Sequence, residues 1–600
     1  ALDAVRVAWV VREAEGNAFF LQELARAAGR LGDTGPVRLD ALLRERVCAI
    51  GTAPRALLEA CALAARPLPL GIAAKAVGLT TIDPDALVTL RHEHLARSTG
   101  PSLEDELETF HDRVREAVVA LLPPERRRGL HAALARTLAA LPTVSPEALA
   151  AHHEAAGERE EARVLYLRAA EVAARALAFE RAELFLGRAQ QLAGSDAARA
   201  EVRERRIHLL TNLGRFADAY AEGRAALAEV GIELPEAFSP PVLLAGLARL
   251  AWLVRGRDAA GLGALREARE QRTHIAVRLL AATMKAAYQV RPELCVTLAN
   301  ASVALCLSDG NTPDCAIGYM VHGAIFQGGV LGRHAQGNAY GELVLSLVER
   351  YQNSAQRAEV SFVVGYFATA WRQPAEAAEA LFQRALAAGL ESGDDFHVGC
   401  AAAGLGMSRV MRGAPPALII HEGEAHLAIL RARRLDETVA TLESAIALTR
   451  LLHEDAPMPE VAADAVLAAY GSRHFAHFQL LAAAIAAWHT GDEERARGQL
   501  ERAEALLPDA RGMLHSAEHV FWQALSRRAG DPRLALDALR LSRWASGQRE
   551  NFGAKSALVS ALLPTARREA GRFERVTELA ITTGRPHVAA LAREVERRRG

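Results

Sequence analysis

The chain has 600 residues, of which 50% are hydrophobic and only 5% aromatic, and its formal net charge is −1 at pH 7. That length exceeds what one hydrophobic core supports, so we expect several domains or an array of repeats. A net charge close to zero excludes a strong overall attraction to nucleic acid or to an anionic membrane. We therefore expect no membrane partner and no direct nucleic-acid partner.

The six cysteines, at positions 48, 61, 295, 306, 315 and 400, form no Cys-x-x-Cys pair. This pattern favours a reduced, cytoplasmic environment over a disulfide framework. No apolar run approaches the roughly 20 residues that a membrane-spanning helix needs, and no signal-peptide pattern is present. Both ends of the sequence fall in or just after helical patterns, so we expect a fragment of a longer protein.

Residues 1–40 and 41–144 differ in pattern. In the first segment Phe20, Leu21 and Leu24 have helical spacing after a Gly16-Asn17 turn. The second segment has short helical stretches divided by Pro and Gly, and a candidate hairpin around Gly100-Pro101. Helices followed by a small hairpin predict a winged-helix-like domain over 41–144.

A His-Asp-Arg triplet at 111–113 has the composition of a kinase catalytic loop, His-Arg-Asp, in a different order. The apolar residues after it have helical spacing, and Pro123-Pro124 end that helix before a second one begins. Glu125 to Arg128 fall in the first turn of the second helix, on its solvent side. A kinase loop also needs an Asn five residues after its Asp and an Asp-Phe-Gly motif downstream, and neither is present. We interpret the triplet as part of a helix-turn-helix corner, with Asp112 as the N-cap.

From residue 145 onward, helical stretches alternate with short Gly-centred turns. Each stretch resembles part of a tetratricopeptide-type helical pair, at 155–173, 212–231, 371–389, 489–507 and 528–545. Small residues would let neighbouring helices approach closely, at Ala162, Ala219, Ala377, Ala496 and Ala535. Such pairs bury their apolar faces only by stacking, which predicts a degenerate helical solenoid. We expect no strand in it, and we divide it into 145–235, 236–420 and 421–600, with a proline-rich boundary at 232–258.

The strongest catalytic motif is HSAEH at 515–519, an H-x-x-E-H pattern typical of some zinc hydrolases. His515 and His519 would share a helix face as zinc ligands, with Glu518 as the base. No third ligand is evident, and the segment continues as an ordinary repeat helix. A zinc hydrolase is therefore a remote alternative, and we assign no catalytic, cofactor-binding or metal-binding residue.

Other candidates have simpler explanations. The chain lacks a complete P-loop motif, and the glycines of 404–413 fit helix packing. The histidine pairs of 421–426 and 474–477 could hold a metal on one helix face, but such pairs are commonly surface or packing residues. Arg126 to Arg128 could contact phosphate, although a solvated helix start also explains them.

Several segments in order resemble one family. EGNAFFLQEL (15–24) is similar to the GNPFF-type segment that follows the nucleotide-binding core of STAND-class AAA-type ATPases. FHDRVREAVVALLPPERRRGLH (110–131) resembles the corner after their winged-helix-like part. Bacterial chains that combine a serine/threonine kinase, a predicted ATPase and a sensor histidine kinase have a helical region after this corner. Characteristic segments of that region are similar to residues 231–235, 308–326 and 544–580 of this sequence. Ala18 and Val118-Val119 depart from the family pattern.

The resemblance implies a regulatory region that binds a protein partner or a small inducer, and that contacts ATPase and kinase domains of the same protein. ATP and Mg²⁺ would belong to those other parts, and we expect no cofactor in this chain. One alternative is the same kind of region in a STAND-type transcriptional regulator, whose DNA-binding output would follow residue 600. The expected fold class is all-α, with a winged-helix-like unit followed by a tetratricopeptide-like solenoid.

Overall fold

The structure is a computed structural model that describes residues 4–14, 16–30, 38–234, 239–460, 463–528, 530–566, 569 and 571–599. Glu15 of the 15–24 segment and Pro235 of the 231–235 segment lie outside the described residues. The chain forms two compact units, Ala1–Arg206 and Ile207–Gly600. The finer divisions of the solenoid remain predictions.

The first unit begins with three helices and continues into a mixed region of helices and short strands. The N-terminal helices are α1 (Ala4–Glu13), α2 (Ala18–Arg30) and α3 (Leu39–Ala49). The mixed region consists of α4 (Thr52–Ala64), β1 (Leu68–Pro69), α5 (Leu70–Ala76), α6 (Pro84–His92), β2 (Ala96–Ser98), β3 (Glu106–Thr109), α7 (Asp112–Leu121) and α8 (Pro124–Leu138).

The elements from α4 to β3 have a winged-helix arrangement. Their antiparallel sheet has the order β1-β3-β2, with Ala96 opposite Thr109, and the β2–β3 loop contains Gly100-Pro101. The buried side chain of Leu107 anchors the central strand, and its carbonyl accepts a hydrogen bond from Cys61 Sγ of α4 at 3.3 Å. The predicted hairpin and winged-helix-like unit are confirmed.

The His-Asp-Arg triplet lies at the start of α7, and the predicted helix-turn-helix corner is confirmed with one correction. The N-cap is His111, not Asp112, because His111 Nδ1 accepts a hydrogen bond from the Arg113 backbone N–H at 3.2 Å. His111 has extended backbone dihedrals, as an N-cap residue does, and Asp112 is already helical. The His111 ring also meets Phe20 edge-on at 4.9 Å, and Arg113 pairs with Asp40 at 3.3 Å. The triplet therefore has structural contacts.

The remaining helices of the first unit are repeat-like. They are α9 (Pro146–Ala156), α10 (Arg159–Arg175), α11 (Phe179–Leu192) and α12 (Asp196–Asn212), the last of which continues past Arg206. Ala162 of α10 and Ala182 of α11 are fully buried, so these two helices approach closely. Tyr166 stacks on Phe185 beside them, with ring centroids 6.1 Å apart. This is the packing expected of a tetratricopeptide-like pair.

The regular elements among the described residues of the second unit are helices. Its first half contains α13 (Phe216–Glu229), α14 (Pro240–Val254), α15 (Ala259–Gly263), α16 (Gln271–Val290), α17 (Pro292–Asp309), α18 (Ala316–Tyr319), a π-helix (Met320–Val330), α19 (His334–Arg350) and α20 (Ser354–Phe367). A 3₁₀ turn (Thr369–Trp371) leads to α21 (Ala375–Ser392), α22 (Asp395–Arg412), α23 (Pro416–Ala432) and α24 (Asp436–Glu454).

The second half contains α25 (Ala463–Tyr470), α26 (Arg473–His489), α27 (Glu493–Glu504), a 3₁₀ turn (Leu507–Ala510), α28 (Leu514–Ser526), α29 (Arg533–Gly547), α30 (Arg549–Ala561), α31 (Arg572–Thr582) and α32 (Pro586–Arg599). Among the described residues after 145, the β-type pairing is one isolated bridge between Glu267 and Asn311. The predicted all-α solenoid with a winged-helix-like unit before it is confirmed.

The small residues predicted to allow close helix approach differ in burial. Ala162, Ala219 and Ala496 are fully buried, as predicted, and Ala377 is partly buried. Ala535 is exposed, so that prediction is wrong. On α29 the buried face is formed by other residues, Leu534, Ala538 and Leu541 among them, because the helix begins at Arg533 and places Ala535 outside its apolar stripe.

The second unit is closed on itself by contacts between distant helices. Trp371 Nε1 donates a hydrogen bond to the Gly512 carbonyl at 2.7 Å, across 141 residues of sequence. Asn551 Nδ2 donates to the Ala370 carbonyl at 2.7 Å, and Arg585 pairs with Glu376 at 3.0 Å. In an open solenoid each repeat touches only its neighbours. These contacts instead bring the C-terminal helices back onto the centre of the unit.

None of the helices in the described ranges is long and apolar enough to cross a bilayer.

Candidate functional site

A cavity lies inside the second unit, between α16, the π-helix, α20, α22 and the start of α26. Its volume is about 90 Å³, and it is open to solvent on one side. Its walls are mostly apolar and aromatic, with a few polar groups, which is the usual make-up of a small-molecule pocket. The lining residues are Met284, Lys285, Tyr288, Gln289, Cys295, Ile317, Met320, Val321, Ile325, Glu359, Phe362, Val363, Tyr366, Phe367, Phe396, His397, Cys400, His474 and Met513.

The π-helix Met320–Val330 supplies one wall. Long π-helical stretches are rare, and π-type turns occur frequently at functional sites. Glycines allow its neighbours to come close: a Cβ on Gly323 would lie 2.0 Å from Cγ of Tyr340, and one on Gly328 would lie 2.9 Å from Cα of Gly337. These two pairs show that glycines lie where neighbouring helices cross most closely.

The opposite wall is aromatic. Phe362 and Tyr366 of α20 stack with ring centroids 4.9 Å apart, and Tyr366 also approaches His474 and His515 at 6.4 Å and 5.9 Å. The side chain of Tyr288 keeps 36% of its surface exposed although burial raises the pKa of its hydroxyl. Partial exposure and a pKa raised by burial occur together because the exposed surface of Tyr288 faces the cavity.

Two charged groups belong to a short chain of contacts at the α16–α22 side. Lys285 Nζ lies 3.7 Å from Asp394 Oδ1 and 5.2 Å from the centre of the Phe396 ring. Asp394 Oδ2 is 2.7 Å from His397 Nδ1, and its other oxygen caps α22 through the His397 backbone N–H. Burial alone would raise the pKa of Asp394, but His397 and Lys285 outweigh it and hold that pKa well below its usual range.

The Tyr366 hydroxyl is buried and meets no hydrogen-bond partner among the described residues. The residue is 6% exposed and lines the cavity, and burial raises the pKa of its hydroxyl, which therefore keeps its proton at neutral pH. A buried hydroxyl without a partner costs free energy, about 1–3 kcal/mol. Because the hydroxyl oxygen is closed off from water-sized groups, it is a buried, unsatisfied donor within the wall and is not reached from the cavity in this structure.

A cluster of four histidines lies next to the cavity, on α26 and α28. The ring centroids of His477 and His515 are 5.0 Å apart, and those of His477 and His519 are 5.2 Å apart. Burial lowers the pKa of His515 to about 3 and those of His519 and His474 to about 4, and burial beside the other imidazoles holds the pKa of His477 well below its ordinary value. All four are uncharged at neutral pH.

The geometry disfavours the zinc hydrolase alternative. His515 and His519 do lie on one face, but Glu518 points elsewhere and is paired with Lys555 of α30. Within the described ranges, no three His, Cys, Asp or Glu side chains are placed to hold a metal ion. Glu518 is therefore held in an ion pair instead of facing the two imidazoles as a base.

Most of the other predicted residues lie apart from the cavity. On α23, His421 is exposed and His426 partly buried, and neither lines the cavity. Arg126 to Arg128 are exposed at the start of α8, where Arg126 pairs with Glu59 at 3.2 Å. Gly404 and Gly406 pack α22 against neighbouring side chains, as predicted. Of the candidate motifs, only 474–477 contributes to the cavity wall, through His474.

Sequence reasoning missed the cavity, but one signal was present. The chain contains only three lysines, Lys75, Lys285 and Lys555, and uses arginine elsewhere. Lys75 is exposed, Lys285 lines the cavity, and Lys555 forms the buried pair with Glu518. Two of the three rare lysines thus lie where the surroundings suit a compact ammonium group.

Comparison with known proteins gives weak likenesses. No family model matches the chain, and no curated protein matches it significantly. Among solved structures, a STAND protein with a tetratricopeptide repeat sensor, PH0952 from Pyrococcus horikoshii, has 12% identity and a TM-score of 0.32, covering 84% of this chain and 73% of that one. Yeast Tom70 has 14% identity and a TM-score of 0.28, covering 76% of this chain and 92% of its own. At these scores the fold assignment rests on this chain's own helices and strands.

Proposed function

We propose that the chain is the regulatory region of a cytoplasmic bacterial signalling protein that contains an ATPase module and a kinase output. Occupation of the cavity in the second unit would control that output. The observation that carries the proposal is a largely apolar cavity, open to solvent on one side, that is built into a helical solenoid. The winged-helix-like unit before it has the place in the chain that the family resemblance implies.

The closed architecture supports a two-state mechanism. Met513 lines the cavity, and the adjacent Gly512 accepts the hydrogen bond from Trp371 that closes the unit. A molecule that binds between these helices would stabilise the closed form by its differential affinity for it. A regulatory region can then transmit occupancy as a change in the population of closed molecules.

The proposal is tested on the native protein. An antibody against this chain should detect a polypeptide well above 64.4 kDa, and sequencing of that polypeptide should identify ATPase and kinase domains. Deletion of 207–600 from it should change basal ATP hydrolysis or autophosphorylation. Unchanged activities would overturn the proposal. A DNA-binding domain in place of the kinase would instead support a transcriptional regulator of the same ATPase class.

A further inference from the structure

We infer that α14 attaches the chain to an anionic lipid surface, with its outer apolar side chains in the membrane interface and its arginines at the lipid headgroups. With 15 residues, α14 is shorter than a helix that spans a bilayer, so it would lie along the surface of the membrane. The inference goes beyond the proposed function and does not depend on the cavity.

α14 is apolar on both of its sides. Its inner side packs on α17, and Leu250 on that side is buried. On its outer side, Leu244 and Trp252 keep 65% and 72% of their surface exposed, and Ala248 between them is also exposed. Residues four positions apart lie above one another on a helix, so these three form one ridge. A helix that is apolar all round is normally buried, which means that the ridge needs an apolar environment that the described residues do not provide.

The charges beside the ridge are all positive. Arg249, Arg255 and Arg257 are exposed, and the sequence has no Asp or Glu from residue 237 to residue 257. Within the described part of the chain, Arg249 and Arg255 form no ion pair. Their guanidinium groups are therefore available to lipid phosphates and carboxylates, which arginine binds well.

The neighbouring helix α17 adds no free negative charge to this surface. It has no charged residue between Glu293 and Asp309. Glu293 pairs with Arg291 at 2.9 Å, and Asp309 lies 3.6 Å from Arg266. A lipid headgroup at α14 would thus meet arginines without an unpaired carboxylate of α17 beside them.

These features favour a lipid surface over a protein. Tryptophan prefers the boundary between headgroups and acyl chains, and Trp252 lies at the end of α14 that leads to Arg255 and Arg257. A fluid lipid surface adapts to a convex ridge, whereas a protein would need a matching groove. A second copy is disfavoured because Arg249 lies near the middle of α14. A two-fold antiparallel pairing of two such helices would bring the two Arg249 side chains together.

The inference replaces the expectation of no membrane partner. That expectation came from the net charge of −1, which is a sum over all 600 residues. The segment 237–257 alone has three positive charges and no negative one. Each basic residue close to an anionic membrane strengthens binding about fivefold, so a local cluster attracts lipid even in a chain that is neutral overall.

The experiment measures sedimentation of the complete 600-residue chain with vesicles of phosphatidylcholine, pure or mixed two to one with phosphatidylserine. We expect binding to the mixed vesicles to be at least about tenfold tighter than to the pure ones. The double variant Leu244→Ala, Trp252→Ala should weaken binding to the mixed vesicles at least about tenfold. Arg249→Gln, Arg255→Gln should do the same by removing two charges. Lipids brominated on their acyl chains should quench part of the tryptophan emission, and Trp252→Phe should remove the quenched part.

Each double variant has a matched control in the first unit. Leu177→Ala, Leu184→Ala removes two apolar side chains that are exposed to a similar extent, 67% and 61%. Arg127→Gln, Arg128→Gln lowers the net charge by the same amount at two exposed arginines of α8. Both controls should bind the mixed vesicles as the wild type does.

Three results would overturn the inference: no binding of the wild type to the mixed vesicles, undiminished binding by either α14 double variant, or an equal loss of binding in its control. Light scattering identifies the main rival occupant. A dimer that Leu244→Ala, Trp252→Ala abolishes, together with no vesicle binding, would show that the face joins two copies and that the lipid inference is wrong. If this double variant does not fold, the quenching of Trp252 by brominated lipid decides the question, and emission that Trp252→Phe leaves equally quenched contradicts insertion of α14.

Discussion

Lys555 and Glu518 form a buried ion pair that joins α30 to α28, and Lys555 Nζ also donates a hydrogen bond to the Met411 carbonyl of α22 at 3.0 Å. Burial raises the pKa of Glu518, while Lys555 and Arg585 act in the opposite direction. The pair thus connects three helices whose residues are far apart in sequence. It also explains why the HxxEH motif lacks an available base.

Lys555→Met should destabilise the second unit strongly, because it leaves the Glu518 carboxylate buried without its partner. Loss of one member of a buried pair costs about 3–5 kcal/mol of unfolding free energy. Denaturant unfolding followed by circular dichroism measures it. Lys75→Met, at an exposed lysine, should change stability by less than about 0.5 kcal/mol. The double variant Lys555→Met, Glu518→Gln should recover much of the lost stability. Equal stability of Lys555→Met and Lys75→Met would show that the buried pair contributes nothing.

The histidine cluster should make the stability of the second unit depend on pH. His515 has a native pKa of about 3 against an ordinary 6.5, so the unfolded state binds its proton more tightly. The free energy of unfolding therefore falls as pH drops from about 6.5 towards 3, by up to about 1.4 kcal/mol per pH unit for each such proton. His474, His477 and His519 face the same region and add to the slope.

His515→Phe tests this linkage. Its unfolding free energy, measured from pH 7 to pH 4.5, should decrease less steeply than that of the wild type. The difference in slope should approach the value for one bound proton, about 1.4 kcal/mol per pH unit. His421→Phe, at an exposed histidine of α23, is the control and should keep the wild-type slope. Identical slopes for both variants would mean that His515 accepts a proton equally well in the folded and unfolded states.

In the first unit, His111→Ala should weaken the start of α7. The Nδ1 atom of His111 satisfies the Arg113 N–H, and loss of such an N-cap costs about 0.5–2 kcal/mol. His111→Asn should retain most of the stability, since Asn is a good N-cap residue. Asp112→Asn should be almost neutral in a thermal melt. A larger effect at Asp112 than at His111 would contradict the corrected assignment.

The fold was accessible to sequence reasoning because its signals are local. Apolar spacing after His111, Pro123-Pro124 and Gly100-Pro101 each act within a few residues, and they predicted α7, the corner and the β2–β3 hairpin. The Ala535 error arose from the position of a helix start. A shift of one or two residues at a boundary rotates every later side chain about the helix axis.

The cavity was not accessible in the same way because distant residues form it. Met284 and Met513 line the same cavity from opposite parts of the second unit. The contacts that close the unit connect residues separated by 141 to 209 positions, and repeat periodicity does not encode them. The π-helix was also missed, since apolar spacing over 300–345 predicts helix without specifying how many residues form each turn.

Asn551 should be essential for closure of the second unit. Its amide donates to the carbonyls of Ala370 and Gln373 at 2.7 Å and 2.9 Å and accepts from the Ala375 N–H at 3.1 Å. Asn551→Ala leaves these buried groups unsatisfied, at about 1–3 kcal/mol each. Hydrogen exchange should become faster at the Ala375 amide and across α30. Unchanged protection there would show that other contacts maintain the closure alone.

The last prediction separates backbone strain from packing at two glycines. Gly512 and Gly491 have almost the same positive φ, 84° and 85°, but Gly491 has open space around it, whereas a Cβ on Gly512 would lie 2.3 Å from Cα of Gly329. Gly491→Ala should cost about 1–2 kcal/mol from the left-handed backbone alone. Gly512→Ala should cost clearly more unfolding free energy, because the Gly329 backbone at the end of the π-helix must move away. That movement also disturbs the hydrogen bond from Trp371 to the Gly512 carbonyl. Urea unfolding of both variants measures the difference, and equal losses would mean that the π-helix adapts without cost.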